Sequence, residues 1–158
     1  MNNNSRVDRI VCAASFSPSS ARVVEWAAAV AALYDAELRL LHVLSPPPAA
    51  QVPSSGPSSD CCGERLLNRV MALARHLPGR PRISGAVTEG DVADEVVRHA
   101  RLVHADLIVI GMHSRDGSVS PLIQSIVMRA PCPVLAADER CYSACSSTSD
   151  STPLVDHL

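Results

Sequence analysis

The stretch Asp106–Ala137, DLIVIGMHSRDGSVSPLIQSIVMRAPCPVLAA, constrains the fold of this chain more than any other. It reads as a buried strand, a Gly-Ser loop, a helix and a second buried strand. Short runs that are apolar throughout suit strands covered on both faces. Two such strands joined through a helix lie parallel, and the crossover is right-handed.

Upstream the same alternation repeats. Arg9–Ala14 (RIVCAA) reads as a buried strand, followed by the turn SFSPSS. Ser19 or Ser20 suits the cap of a helix running to about Tyr34, along which Val23, Ala27, Val30 and Leu33 recur at near-helical spacing. Trp26 is assigned to packing. Glu37–Leu44 (ELRLLHVL) is the second strand. Residues 45–59 are rich in Pro, Ser and Ala, and Pro46–Pro48 forbid regular structure, so a mobile surface linker is expected. Cys61–Leu77 has the pattern of an amphipathic helix with Leu66, Leu67, Val70, Leu73, Ala74 and Leu77 inward. Arg82–Val87 is a weaker third strand. Asp91 caps the next helix, with Asp94 placed for a return contact, and this helix runs to about His104. Asp106–Ile110 is the strongest strand, and Asp106 is expected to cap or pair locally. Ser120 as N-cap and Pro121 at the first position open a helix ending near Arg129. Pro133–Ala137 closes the pattern. A domain over residues 9–137 is therefore expected between a flexible start (1–8) and a disordered Ser/Thr/Cys-rich tail (138–158). The Ser and Thr residues of that tail are candidates for phosphorylation, with a plain solvated tail as the simpler account.

Five strands alternating with helices make an α/β fold: a parallel sheet with helices on both faces, a three-layer α/β/α sandwich. Ligands bind such sheets at the carboxyl ends of the strands, where strand order reverses. With the first strand central, the loops 15–20 and 111–120 frame that crevice.

Composition narrows the chemistry. Hydrophobic residues make up 47% and aromatics only 3%, so the core is built from Ala, Val, Leu and Ile. The 14 basic residues are all Arg. A chain without Lys makes no Schiff base, no Walker A phosphate site and no kinase strand lysine. It also lacks the lysine that accompanies the phosphorylated aspartate of a receiver domain. A net charge of −2 offers no basic field for nucleic acid or an anionic membrane. No apolar run reaches the roughly 18–20 residues of a membrane span, and the start MNNNSRVDR lacks a secretory core, so a cytoplasmic location is expected. Cys12 and Cys132 sit in strand patterns as inert core thiols. Cys61–Cys62 and Cys141/Cys145 lack zinc spacing, and no metal site is expected.

Four segments carry a family resemblance: RIVCAASFSPSS, AELRLLHVL, EGDVADEVVRHARLVHADLIVIGMHS and APCPVLAA. Together they resemble the universal stress protein family over about residues 8–137. The resemblance implies an adenine-nucleotide α-hydrolase-like fold with sheet order 3-2-1-4-5, usually as a homodimer. Members that bind ATP carry Gly-x-x-Gly, nine further residues, then Gly followed by Ser or Thr, and an Asp at the end of the first strand. The positions implied for a nucleotide are Ser15, Val43, Gly111, Ser114, Gly117, Ser118 and Ser120. This chain departs from that pattern at every point but the first glycine. Ser114 stands at the second Gly position, Ser120-Pro121 at the closing pair, and Ser15 where the Asp would be. Only Arg115–Val119 separate the two halves, too short a span to wrap a triphosphate in the family's manner.

Two roles stay open for Gly111, Ser114, Gly117, Ser118 and Ser120. They form a reduced anion site with Arg115 as counter-charge, or only a tight turn and a helix cap. Asp116 inside the loop favours the second. His42 and His113 stand near the crevice, but no Ser-His-acid spacing accompanies them and no catalytic residue is assigned. His76, His99 and His104 belong to helices or their ends and are expected to be solvated. SFSPSS contains no Gly, unlike the Ser-Gly-Gly-x-Asp-Ser loop of ATP pyrophosphatases. The last strand, Pro133, Val134, Leu135, Ala136 and Ala137, is an apolar edge suited to self-pairing in a two-fold dimer, unless the tail covers it. The expectation is a non-catalytic, homodimeric stress-response protein with a degenerate nucleotide loop. It would act through an unknown protein partner, without cofactor, nucleic acid or membrane. The alternative is a sensor holding ATP or AMP in an altered pocket, and an enzyme ranks third.

Overall fold

Apolar runs of five to eight residues, each flanked by a helix or turn, pair into one parallel sheet in the computed structural model. It describes residues 6–14, 20–45, 68, 71–72, 81–112 and 118–138. The strands are β1 (Arg9–Ala13), β2 (Glu37–Leu44), β3 (Arg82–Glu89), β4 (Leu107–Met112) and β5 (Val134–Asp138). The helices are α1 (Ser20–Tyr34), α2 (Val92–Leu102) and α3 (Pro121–Arg129), and Asn68, Met71 and Ala72 are also helical. The strand order is β3-β2-β1-β4-β5, as the resemblance implied, with every neighbouring pair parallel.

Strand alternation divides the core in two. Ile10, Cys12, Leu38, Leu40 and Val109 face α1, while Val11, Leu41, Ile108 and Ile110 face α2 and α3. The α1 contacts are small, with Ala27, Ala28 and Ala31 fully buried, so the helix backbone lies close to the sheet. On the other face Val96, Ala100, Ile123 and Ile126 fill the same role. Met71 packs on the α1 side.

Both α1 and α2 end in the same way. Ala36 N–H reaches back to Ala31 C=O at 2.8 Å and Ala105 N–H to Ala100 C=O at 2.9 Å. The residues before them, Asp35 (φ 53°) and His104 (φ 51°), take the left-handed conformation that glycine usually supplies. α2 starts with Asp91 accepting from Asp94 N–H, and α3 with Ser120 accepting from Ile123 N–H ahead of Pro121.

Several expectations change. Leu33 is 78% exposed and Trp26 stands partly in solvent, because α1 is apolar around most of its circumference and docking, not periodicity, selects its buried face. The Asp94 carboxylate pairs with Arg129 at 2.6 Å instead of closing a capping box. His99 is half-buried. Asp106 pairs with the backbone of Asp8 and Arg9, distant in sequence. β3 continues to Glu89 and β4 to Met112, and β5 begins at Val134, with Pro133 supplying only a carbonyl to Ile108 N–H. The expectations for residues 1–5, the loop 46–59, the inward face of the 61–77 helix, His76, the tail 139–158 and Cys61, Cys62, Cys141 and Cys145 lie outside the described residues. Burial lifts the Cys12 thiol to about 12, and burial followed by the Asp106 charge also raises Cys132, so neither thiol is activated.

Candidate functional site

Because β1 stands at the centre of the sheet, the chain leaves it toward β2 on one side while β4 arrives on the other. The connections diverge there and a crevice opens at the carboxyl ends. A cleft of about 180 Å³ occupies this place. Its floor is apolar, from Leu41, Ile110 and Val23, with Ala13 and Gly111 where the two central strands end. The starts of α1, α2 and α3 meet its rim through Ser20, Val92 and Leu122. Helix N-termini carry unpaired N–H groups and partial positive charge. The starts of α1 and α3, with no acidic residue in their first turns, therefore favour an anion at the rim, whereas α2 opens on Asp91, Asp94 and Glu95. The floor favours an apolar ring.

Two polar side chains, His42 and Ser20, line the cleft among the described residues, and both are buried. His42 Nδ1 lies 3.0 Å from Ala14 C=O. A carbonyl only accepts, so Nδ1 carries the proton. Burial holds the imidazole below its ordinary range, against the smaller upward pull of the Ala14 hydrogen bond. The ring is therefore neutral near pH 7 and poorly suited to act as a cation.

The end of β1 sets the backbone geometry of the cleft wall. Ala14 N–H donates to Leu41 C=O at 3.0 Å, one rung past the paired residues Ala13 and Leu41. Leu44 C=O points the opposite way and accepts from Gly90 at 3.0 Å on the β3 side. Amide groups alternate in direction along a strand. Val43, which lines the cleft, therefore directs its N–H and C=O to the β1 side, beyond the last rung of that strand. This presents a donor and an acceptor on one edge of an apolar cleft.

Of the sequence-nominated positions, Val43 and Gly111 line the cleft. Gly111 belongs to β4, opposite Ala137, and so is the last part of the strand instead of a loop residue. Ser120 sits at the start of α3 with its hydroxyl accepting from Ile123 N–H at 3.3 Å. Ser118 is exposed two residues before it. Ser15, Ser114 and Gly117 lie outside the described residues, as do His113, Arg115 and Asp116. Ser20, Val23 and Ala14 were not singled out as site residues. A serine opening an apolar helix directly after the central strand is the sequence signal that would have found Ser20. Among the described residues no group of three or more His, Cys, Asp or Glu side chains is placed to hold a metal ion. No helix among them is long and apolar enough to cross a membrane.

Comparison with known proteins gives one coherent result. The model of the universal stress protein family matches residues 6–137. No curated protein matches the sequence. Among solved structures, a universal stress protein in complex with cAMP is 22% identical with a TM-score of 0.69, covering 85% of this chain and 99% of that one. A family member from Burkholderia pseudomallei is 25% identical with a TM-score of 0.63, covering 84% and 97%. The universal stress protein from Archaeoglobus fulgidus in complex with dAMP is 23% identical with a TM-score of 0.63, covering 83% and 98%.

Proposed function

This chain belongs to the universal stress protein family, and from that membership we propose that it is a non-catalytic regulator whose cleft takes an adenine mononucleotide. The observation that carries the reading is the backbone edge of Val43 at the wall of an apolar cleft. An adenine ring offers an acceptor nitrogen beside an amino donor on one edge, which a neighbouring N–H and C=O complement. The floor side chains accept the ring faces, and the starts of α1 and α3, free of acidic residues in their first turns, favour the phosphate. Solved relatives bound to cAMP and dAMP support the same ligand class. A single phosphate, not three, suits a loop in which only Arg115–Val119 separate the two candidate anion-binding halves. The non-catalytic part rests on the lining. Among the described residues the polar side chains of the lining are a neutral imidazole, whose Nδ1 donates to Ala14 C=O, and the Ser20 hydroxyl, with no carboxylate or charged base among them.

We further propose that the protein acts as a homodimer through β5. Pro133 C=O accepts from Ile108 N–H, so the odd-numbered residues of β5 face β4, and Val134 and Ala136 turn their amide groups to the open edge. A second reading keeps the dimer but dispenses with nucleotide, leaving protein contacts as the output. It is favoured by the loop's departures from the binders' pattern, with Ser114 at the second Gly position and Ser120-Pro121 at the closing pair.

Calorimetric titration of ligand-stripped protein with AMP, cAMP and ATP tests the choice. Micromolar binding of AMP, with ATP no tighter, is expected. Absence of heat for all three at two temperatures, with an unmoved thermal midpoint, would remove the nucleotide reading and leave the second.

A further inference from the structure

We propose that His42 is a positioning residue that keeps the backbone edge of Val43 open to the ligand. In a parallel ladder the rung after Ala14 N–H to Leu41 C=O would run from Val43 N–H to Ala14 C=O. That rung would consume the donor that the cleft presents. Here the carbonyl of Ala14 goes instead to the imidazole of the intervening residue, at 3.0 Å from Nδ1. His42 points to the α1 face, on the same side as Leu38 and Leu40, whereas Val43 packs toward the opposite face with Leu41. The imidazole thus takes the Ala14 carbonyl where the chain leaves β1 on its way to α1. The interaction is 8% exposed at His42, so water does not compete freely for the carbonyl. Protonation of the ring leaves Nδ1–H in place, so the bond does not depend on the charge state.

For its ligand this inference rests on the nucleotide reading, but its geometry belongs to the free protein. Amide hydrogen exchange, read by nuclear magnetic resonance on the intact nitrogen-15-labelled chain without ligand, separates the two. In the wild type the Val43 amide is expected to exchange about tenfold or more faster than that of Leu41, which points to the same side within the ladder. His42→Leu removes the donor and frees the Ala14 carbonyl. Val43 exchange should then slow about tenfold, and AMP affinity should fall by a similar factor. His42→Asn, whose side-chain amide places a donor at the same branch from Cγ, should keep the wild-type pattern. His42→Gln moves the donor one bond outward and should behave as His42→Leu, repeating the test if the leucine variant does not fold. A wild-type Val43 amide as protected as Leu41, or exchange unchanged in both His42→Leu and His42→Gln, would overturn the assignment. The expected exchange pattern without AMP binding to the wild type would uphold the role of His42 and remove the nucleotide reading alone.

Discussion

The carboxylate of Asp106 accepts the backbone N–H of Arg9 at 2.9 Å, and the same oxygen, Oδ2, accepts Asp8 N–H at 2.9 Å. Asp106 N–H returns a bond to Arg9 C=O at 2.8 Å, and the Arg9 guanidinium donates to Val103 C=O at 3.0 Å. These bonds tie the amino ends of β1 and β4, at the opposite rim of the sheet from the cleft. Hydrogen bonds to a charged acceptor are worth about 1.5–3 kcal/mol each at most, and partial solvent access lowers that. Asp106→Ala should destabilise the protein by about 1–3 kcal/mol in urea unfolding while leaving ligand affinity unchanged. A shift in the unfolding midpoint too small to resolve would sink this account of the rim.

His104 holds φ at 51° without being glycine, two residues past the last residue of α2. The left-handed conformation costs an ordinary residue about 1–2 kcal/mol, part of which glycine returns through its freer unfolded chain. His104→Gly should therefore stabilise by about 0.5–1 kcal/mol, seen as a higher thermal midpoint. A lowered midpoint would mean that the His104 side chain contributes contacts beyond its backbone role.

Acid should destabilise the fold in a defined window. Burial holds His42 below the ordinary 6.5, and burial followed by the Arg39 and Arg98 charges holds His99 below it. A group whose folded-state value is depressed binds its proton first in the unfolded chain. The neutral form then favours the fold fully above 6.5, and that contribution is lost as pH falls below it. Glu95 behaves likewise at lower pH. Its bonds from Arg98 and then Thr88 depress it to about 2, so its contribution is complete above its ordinary 4.5 and lost toward about 2. Thermal midpoints should be level above neutrality and fall below it, less steeply in His42→Asn. A midpoint that stays flat down to the carboxylate range would contradict the assigned burial of both rings.

Ser120 offers a way to weigh its two roles separately. Aspartate caps a helix as well as serine does, but adds a negative charge. Ser120→Asp should keep stability within about 0.5 kcal/mol and weaken AMP binding about tenfold or more, leaving adenosine binding nearly unchanged. Equal affinities of AMP for the two proteins would place the phosphate elsewhere, or leave Ser120 as a cap alone.

Ala136 directs its amide away from β4, so proline there removes an outward donor without breaking a rung of the sheet. If β5 pairs with a second copy, Ala136→Pro should convert the sedimenting species from dimer to monomer with its circular dichroism unchanged. Retention of the dimer would move the interface to another surface.

The fold was legible because five apolar runs alternate with helical segments, and because Ser120-Pro121 and Asp91 announce their helices without ambiguity. β2 and α3 fall on the bounds their patterns imply, Glu37–Leu44 and Pro121–Arg129. Legibility failed where a side chain has several acceptable surroundings. Leu33 fits the spacing of the buried face of α1, yet an almost wholly apolar helix encodes no preferred rotation. The long-range partners of Asp106 and Asp94 depend on topology, which places β1 beside β4 and α3 beside α2. At the site, Val43 and Gly111 were nominated from the family resemblance, and the sequence held no sign of why Val43 matters. Its contribution is a backbone direction, fixed by where β1 stops pairing, and side-chain identity carries no trace of it.

The crossing contacts of α2 and α3 have a mechanical consequence for the cleft. Asp94 near the start of α2 grips Arg129 at the end of α3 at 2.6 Å, and Arg101 near the end of α2 donates to Arg129 C=O at 3.1 Å. One residue thus anchors two turns of its neighbour, and shear between these helices would break both ties together. The wall of the cleft formed by Val92 and Leu122 is stiffened as a single plate. The opposite jaw is α1, which Val23, Val24, Ala27, Ala28 and Ala31 hold to the sheet by non-directional apolar packing, so adjustment to a ligand is expected there first.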